Sequence, residues 1–300
     1  MPTTQPVILA VGELLWDLFP TGARLGGAPF NFIYHAAQFG ADAHGVSTVG
    51  DDDLGRQARA QLAAAGVDLA CVSTDSAHPT GTVTVVLDAQ GKPTYTINEN
   101  AAWDFVPLTR PVLDVAARAD AVCYGSLAQR SAGTRRTIRE VLRATSRTCL
   151  RVFDINLRLS FYDRETIETT LAQSTILKLN NEELDVLAGL FALPGDEEAR
   201  ARALLARHRL TLVAVTRGGE GSSLYTADGQ SHVPGEKVAV VNTVGAGDAF
   251  TAGLVVGLLR RMPLDRINRL ASQLAAYVCT QDGATPSLPV QLTAPFKTPS

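Results

Sequence analysis

Three hundred residues, 46% of them hydrophobic and 19% charged, suffice for one large α/β domain with an elaboration. A net charge of −3 leaves no electrostatic footprint for nucleic acid, although local amides and a few arginines can still hold a small anion. Four scattered cysteines without a C-x-x-C pair argue against a zinc site and a disulfide framework. The start, Met1 to Pro6, lacks the basic and long apolar stretches of a signal peptide. The longest apolar helical run, Ala249–Leu259, is too short and too broken by glycine to span a membrane. The chain is therefore expected to be cytoplasmic.

In chain order, short β-branched runs alternate with amphipathic stretches. Expected strands are Val7–Leu14, Ala43–Val49, Ala121–Tyr124, Thr148–Asp154, Ile176–Leu179, Leu210–Thr216 and Val238–Val241. Expected helices are Phe30–Phe39, Leu54–Ala65, Thr134–Ala144, Glu182–Leu190 and Glu197–Arg207, with an apolar helix opening after Gly247. Strands this apolar, alternating with helices, imply a parallel sheet covered on both faces, with ligands at the carboxyl ends of its strands. One region departs from the pattern. Thr80–Leu87 alternates polar and apolar, turns at Asp88–Gly91 and continues as Thr94–Ile97, which reads as a hairpin with one wet face. It could form a lid, a dimer surface, or both. Ser287–Ser300, rich in Pro, Thr and Ser, is expected to wrap the surface or fray.

The strand ends carry the chemistry. After Val241 the chain runs Asn242-Thr243-Val244-Gly245-Ala246-Gly247-Asp248 into the last apolar helix. Unpaired amides at a helix N-terminus attract an anion, and Gly245 and Gly247 let a phosphate approach without a Cβ in the way. Asp248 beside such a cradle suggests a base for the group that attacks the phosphate, hence phosphoryl transfer. Earlier, Gly26-Gly27-Ala28-Pro29 opens a helix in which Asn31 could point into the site. Asp17 could grip sugar hydroxyls or be a solvated loop acid. Arg158, in Asp154-Ile155-Asn156-Leu157-Arg158, is a natural partner for a transferring phosphoryl group. Asn180 or Asn181 could cap a helix, or Glu183 could hold a hydrated Mg²⁺. Thr216-Arg217-Gly218-Gly219-Glu220-Gly221 would let backbone approach a nucleotide. There is no Walker loop and no strand-linked G-x-G-x-x-G, which disfavours a nicotinamide oxidoreductase.

With these residues in place, the chain resembles the ribokinase/PfkB family of carbohydrate kinases along essentially its whole length. The glycine block with Asn31 resembles the family's N-terminal signature, and Asn242 through Asp248 its C-terminal signature, D-T-x-G-A-G-D. The resemblance implies a single three-layer α/β sandwich over residues 1–300, with a mostly parallel central sheet and a small β-sheet lid from segments about 12–25 and 78–104. It implies Asp248 as catalytic base, and Gly245, Ala246 and Gly247 as the anion hole, with Arg158 stabilising charge. Asp17, Gly26, Gly27 and Asn31 match the sugar side, and the lid residues near Glu99–Asp104, Trp103 among them, would tune the choice of sugar. Asn180, Thr216, Gly218 and Gly221 match the nucleotide side, and Glu183 a Mg²⁺ element. A K⁺ common in the family would lie between Asn242 and Ala284. Two residues depart: Asn242 replaces the signature's first aspartate, and Ile155 its usual proline after Asp154. Gly12-Glu13, Gly26–Pro29 and Asn156–Ser160 look most like fructokinases. The implied reaction is ATP-dependent phosphorylation of D-fructose to fructose 6-phosphate, with ribose, 2-keto-3-deoxygluconate or a nucleoside as alternative acceptors. A non-catalytic sugar sensor is the alternative outside catalysis. A homodimer through the lid is a further implication.

Overall fold

The structure, a computed structural model, describes residues 5–87 and 93–297. In chain order its elements are β1 (Val7–Val11), β2 (Leu15–Phe19), β3 (Gly22–Gly26), α1 (Ala28–Gln38), β4 (Asp42–Gly50), α2 (Asp53–Ala64), β5 (Val72–Asp75), β6 (Gly81–Leu87) and β7 (Pro93–Ile97). There follow α3 (Arg110–Arg118), β8 (Ala121–Tyr124), α4 (Ala132–Ala144), β9 (Leu150–Asp154), α5 (Arg164–Leu171), β10 (Ile176–Asn180), α6 (Asn181–Phe191) and α7 (Glu197–His208). The chain closes with β11 (Leu212–Thr216), β12 (Ser222–Tyr225), β13 (Gln230–Val233), α8 (Ala246–Leu259), α9 (Leu264–Cys279) and α10 (Val290–Lys297).

Nine strands form the main sheet in the order β13-β12-β11-β10-β9-β8-β1-β4-β5. The run from β11 to β5 is parallel, and only β12 runs the other way, pairing antiparallel with β11 and with β13. Its apolar strands need cover on both faces, and two separate clusters supply it. On one face α3 to α7 pack through Val112, Ile138, Ile167, Leu187 and Leu204. On the other, α1, α2 and α8 to α10 pack through Phe30, Leu62, Phe250, Leu274 and Phe296. This is the expected three-layer sandwich.

The first and last parts of the chain meet in that second layer. α1 packs against α8, and Phe39 at its end lies 4.5 Å, ring to ring, from Phe296 in α10. Gln38 Oε1 accepts the amide of Leu288, and His35 Nε2 donates to the carbonyl of Ala284.

A second sheet, ordered β3-β2-β6-β7, is inserted between β1 and α1 and between β5 and α3. β6 and β7 pair antiparallel as expected, but β2 pairs β6 in parallel, so the small sheet is mixed. The expected turn Asp88–Gly91 lies outside the described residues. Three further expectations need correction. The first strand ends at Val11 rather than Leu14, because Gly12 at φ 152° breaks it before β2 begins. Val238–Val241 forms no strand: the amide of Val241 pairs with the carbonyl of Cys279 at the end of α9, and Val240 and Val241 stay 61% and 64% exposed. The tail does not fray through Lys297. It forms α10, held by Phe296 in the core.

Candidate active site

The start of α8 lies at the carboxyl edge of the main sheet. Gly245, its N-cap, has φ 82°, and a Cβ there would lie 2.6 Å from the Cα and carbonyl oxygen of Ala284. Both facts require glycine. The first-turn amides of a helix have no partner within it. That of Ala246, expected in the anion hole, instead turns back to the carbonyl of Thr243 at 3.3 Å, which commits part of its capacity. Asp248 stands in this first turn, partly exposed, and its Oδ2 accepts a hydrogen bond of 2.8 Å from Asn31 Nδ2. Burial, and next the Asp154 carboxylate, push its carboxyl up to about 6, while Asn31, Lys178 and Arg158 oppose the rise.

A second acid meets it. Glu13, in the link from β1 to β2, is 1% exposed, and its Oε2 has no hydrogen-bond partner. Burial raises its carboxyl to about 7, and Asp248 adds to the rise. Asp17 in β2 is raised by burial to about 6, with Arg158 opposing. A Cβ on Gly26 would lie 2.6 Å from Asp17 Oδ2, and one on Gly27 would lie 2.2 Å from the carbonyl of Glu13. These two glycines let the small sheet fold back onto the acids. Asp17, Gly26, Gly27, Asn31, Arg158 and Asp248, predicted separately, are thus one neighbourhood: a cleft of carboxylates with an exposed arginine beside it. Such a set can hold hydroxyls and take up a proton.

Trp103 does not join them. It is wholly buried, with the Arg130 guanidinium stacked 4.0 Å from its ring and its Nε1 close to Gly81. It pins the small sheet to the body and leaves no surface for a sugar.

The sequence reading missed Lys178. It sits in the middle of β10, 7% exposed, and its Nζ is 3.1 Å from Asp154 Oδ1. Asp154 Oδ2 accepts from Thr251 Oγ1 in α8 at 2.7 Å. Burial alone would drive the ammonium pKa down, but the carboxylates of Asp154, Glu183 and Asp248 outweigh it and raise it. Glu13 and Lys178 each left one signal, a charged residue inside an apolar run, and a buried charge needs a partner.

Among the residues expected on the nucleotide side, Asn180 is the N-cap of α6 in a capping box: its side chain accepts from the Glu183 amide, and Glu183 Oε2 accepts from the Asn180 amide at 2.8 Å. Glu183 Oε1 accepts the amide of Leu157 at 2.9 Å. With each oxygen already holding an amide and Lys178 near, Glu183 fits a magnesium ion only through water. Thr216 ends β11, its hydroxyl 3.5 Å from the carbonyl of Leu179. Gly218, at φ 52°, has nothing within 4 Å of its missing Cβ and leaves room for a ligand. Gly221 is different: a Cβ there would lie 2.0 Å from the carbonyl of Val233, so packing against the chain after β13 requires the glycine. At the expected K⁺ position, Asn242 Oδ1 accepts from the Val244 amide and the Ala284 carbonyl from His35. That donor set is neutral and partly committed, a fit for a weakly held cation only.

A mostly parallel sheet, a glycine-opened helix with an acid in its first turn, and a small second sheet beside that acid are an arrangement that suits a kinase of small molecules. Residues 19–291 match the pfkB family of carbohydrate kinases. The chain is 34% identical to the fructokinase of Klebsiella pneumoniae, covering 94% of this chain and 96% of that one. It is 30% identical to fructokinase-1 of Oryza sativa subsp. japonica, covering 97% of each. An uncharacterized sugar kinase of Pyrococcus horikoshii, solved in complex with ATP, superposes with a TM-score of 0.80 at 26% identity, over 93% of this chain and 94% of that one. The chain belongs to the pfkB family of carbohydrate kinases and is fructokinase-like within it.

Proposed function

We propose that the chain transfers the γ-phosphoryl group of ATP to the primary hydroxyl of a sugar, D-fructose above all, giving fructose 6-phosphate and ADP. The observation that carries this reading is Asp248, an acid poised near neutrality in the first turn of a glycine-opened helix and oriented by Asn31. Asp17 would bind the remaining hydroxyls. Asp248 takes the hydroxyl proton as the oxygen attacks phosphorus in line, and the bond to the ADP oxygen breaks. Arg158 and the Gly245 and Gly247 amides face the charge on the phosphoryl oxygens. Magnesium, bound with ATP and bridged by water to Glu183, would neutralise the phosphates, and a K⁺ near Asn242 and Ala284 would be an accessory at most. Folding of the small sheet over the sugar excludes water that would otherwise hydrolyse ATP. The same reading places the enzyme in the cytoplasm, where ATP is available. It allows a homodimer through the small sheet, whose edge strand β7 leaves Tyr95 45% exposed.

ADP release with ATP and Mg²⁺, compared across fructose, ribose, glucose, mannose, 2-keto-3-deoxygluconate and adenosine, tests the assignment. Fructose should give the highest kcat/KM, and Asp248→Asn should lower kcat by about 100- to 10,000-fold with the fold intact. Faster turnover of another acceptor would replace fructose. A near-wild-type Asp248→Asn enzyme would remove the base.

A further inference from the structure

Lys178 is a buried cation that the phosphoryl-transfer reading leaves without a task. Three observations fix its place. Its Nζ is bound to Asp154 Oδ1 at 3.1 Å. A Cβ on Gly247 would lie 2.8 Å from that same Nζ, so the ammonium lies directly beneath the first turn of α8. Thr251 Oγ1 lies 2.7 Å from the other oxygen of Asp154 and 2.9 Å from the Gly247 carbonyl, so its single proton is shared between the two acceptors. The lysine, the aspartate and the threonine thus form a chain that begins and ends at Gly247. The space a Cβ on Gly247 would take is held by this ammonium, which is the reason for glycine there.

We infer that Lys178, clamped by Asp154, is a positioning residue for the base: a wedge that fixes the first turn of α8 and a fixed positive charge behind the Asp248 carboxylate. The inference rests on Asp248 being the base. The groups around Asp248 come from every neighbouring element: Glu13 after β1, Asn31 on α1, Cys123 in β8, Asp154 at the end of β9, Arg158 in the loop beyond it and Lys178 in β10. Glu183 on α6 faces Lys178 from the other side. Two further carboxyls, Asp154 and Glu13, therefore crowd the base. Arg158 is exposed, so water screens it, whereas Lys178 is buried and acts through little water. Without Lys178 the crowded carboxylates would favour holding a proton on Asp248, and a protonated base cannot accept another.

The test is the titration of Asp248 itself, by carboxyl carbon-13 NMR with the resonance assigned through Asp248→Asn. Lys178→Met should move its midpoint up by about one unit or more, the effect of removing a close opposite charge. Asp154→Asn should move it down, and the double variant should fall between the two. In turnover, the acid limb of kcat/KM should shift with the midpoint, so Lys178→Met loses activity several-fold near pH 6 and regains most of it by pH 9. An Asp248 midpoint unmoved in Lys178→Met, or a loss in that variant equal at every pH, overturns the inference. Should Lys178→Met not fold, Lys178→Gln, which keeps a hydrogen-bond donor toward Asp154 but carries no charge, is read in its place with the same two outcomes. Should the wild-type chain phosphorylate none of the sugars, the kinase reading fails while the NMR midpoint still decides this one.

Discussion

Glu13 keeps an ionisable group where water does not reach, and its carboxyl sits near 7 rather than at the ordinary 4.5 because burial disfavours the charge. A carboxyl raised in the folded state binds its proton more tightly there than in the unfolded chain. The stabilisation is full below about pH 4.5 and is lost as pH rises through about 7. Glu13→Gln removes that dependence. The variant should be more stable than wild type by about 1–3 kcal/mol at pH 8 and about equal at pH 4.5, read from thermal unfolding at the two pH values. Equal midpoints at both would show that Glu13 is not kept protonated by burial. Residues of this kind were the least legible in the sequence. Apolar neighbours located β1 and β10, and the charges at Glu13 and Lys178 looked like interruptions of a pattern. Their meaning depended on Asp154 and Asp248, which lie far away in the chain. Asn31 and Asp248 were legible because each follows a glycine turn into a helix, whereas Asp17, expected as a loop acid after the first strand, stands in the middle of β2.

The elements were legible where local chemistry marks both ends. Asp52, Asp163 and Asp196 cap α2, α5 and α7 with their side chains, each accepting an amide three residues on, and two of those three helices were expected from the sequence. β2 and β6 were harder, since they pair in parallel with α1, β4, α2 and β5 between them, and no short-range turn announces such a pair. The start of α8 shows how two glycines differ in cause. Gly245→Ala adds both a positive-φ strain and a collision with the backbone of Ala284. It should cost about 2 kcal/mol or more in urea unfolding and lower kcat at least about tenfold, since the turn that carries Asp248 must move. Gly218→Ala meets only the positive φ and open space, so its cost should stay near about 1 kcal/mol. Equal losses in the two variants would mean that Ala284 gives way freely.

Across the whole molecule, the alternation of apolar strands and amphipathic helices was enough to predict the sandwich, because a sheet hydrophobic on both faces has one way to hide itself. What the alternation could not announce was which helices share a face. α1 lies with α8, α9 and α10, elements from the last fifth of the chain, and buries Phe30, Phe32 and Ile33 there. A chain stopped after Val241 keeps β1 to β13 but loses this cover. It should fail to give a cooperative thermal transition and should be cut by protease within α1, whereas a cooperative, resistant fragment would show that the sheet suffices.

The same clasp sets an order of events in the making of the protein. A ribosome delivers α1 with β1 and β4 well before α8 to α10, so through much of synthesis α1 has the sheet on one side but not the helices that cover it on the other. Asn31 and Asp248, whose hydrogen bond joins those two ends, can meet only when the growing chain has nearly left the tunnel. Until α8 has emerged the nascent chain lacks that pair, and the uncovered side of its first helix is open to chaperones.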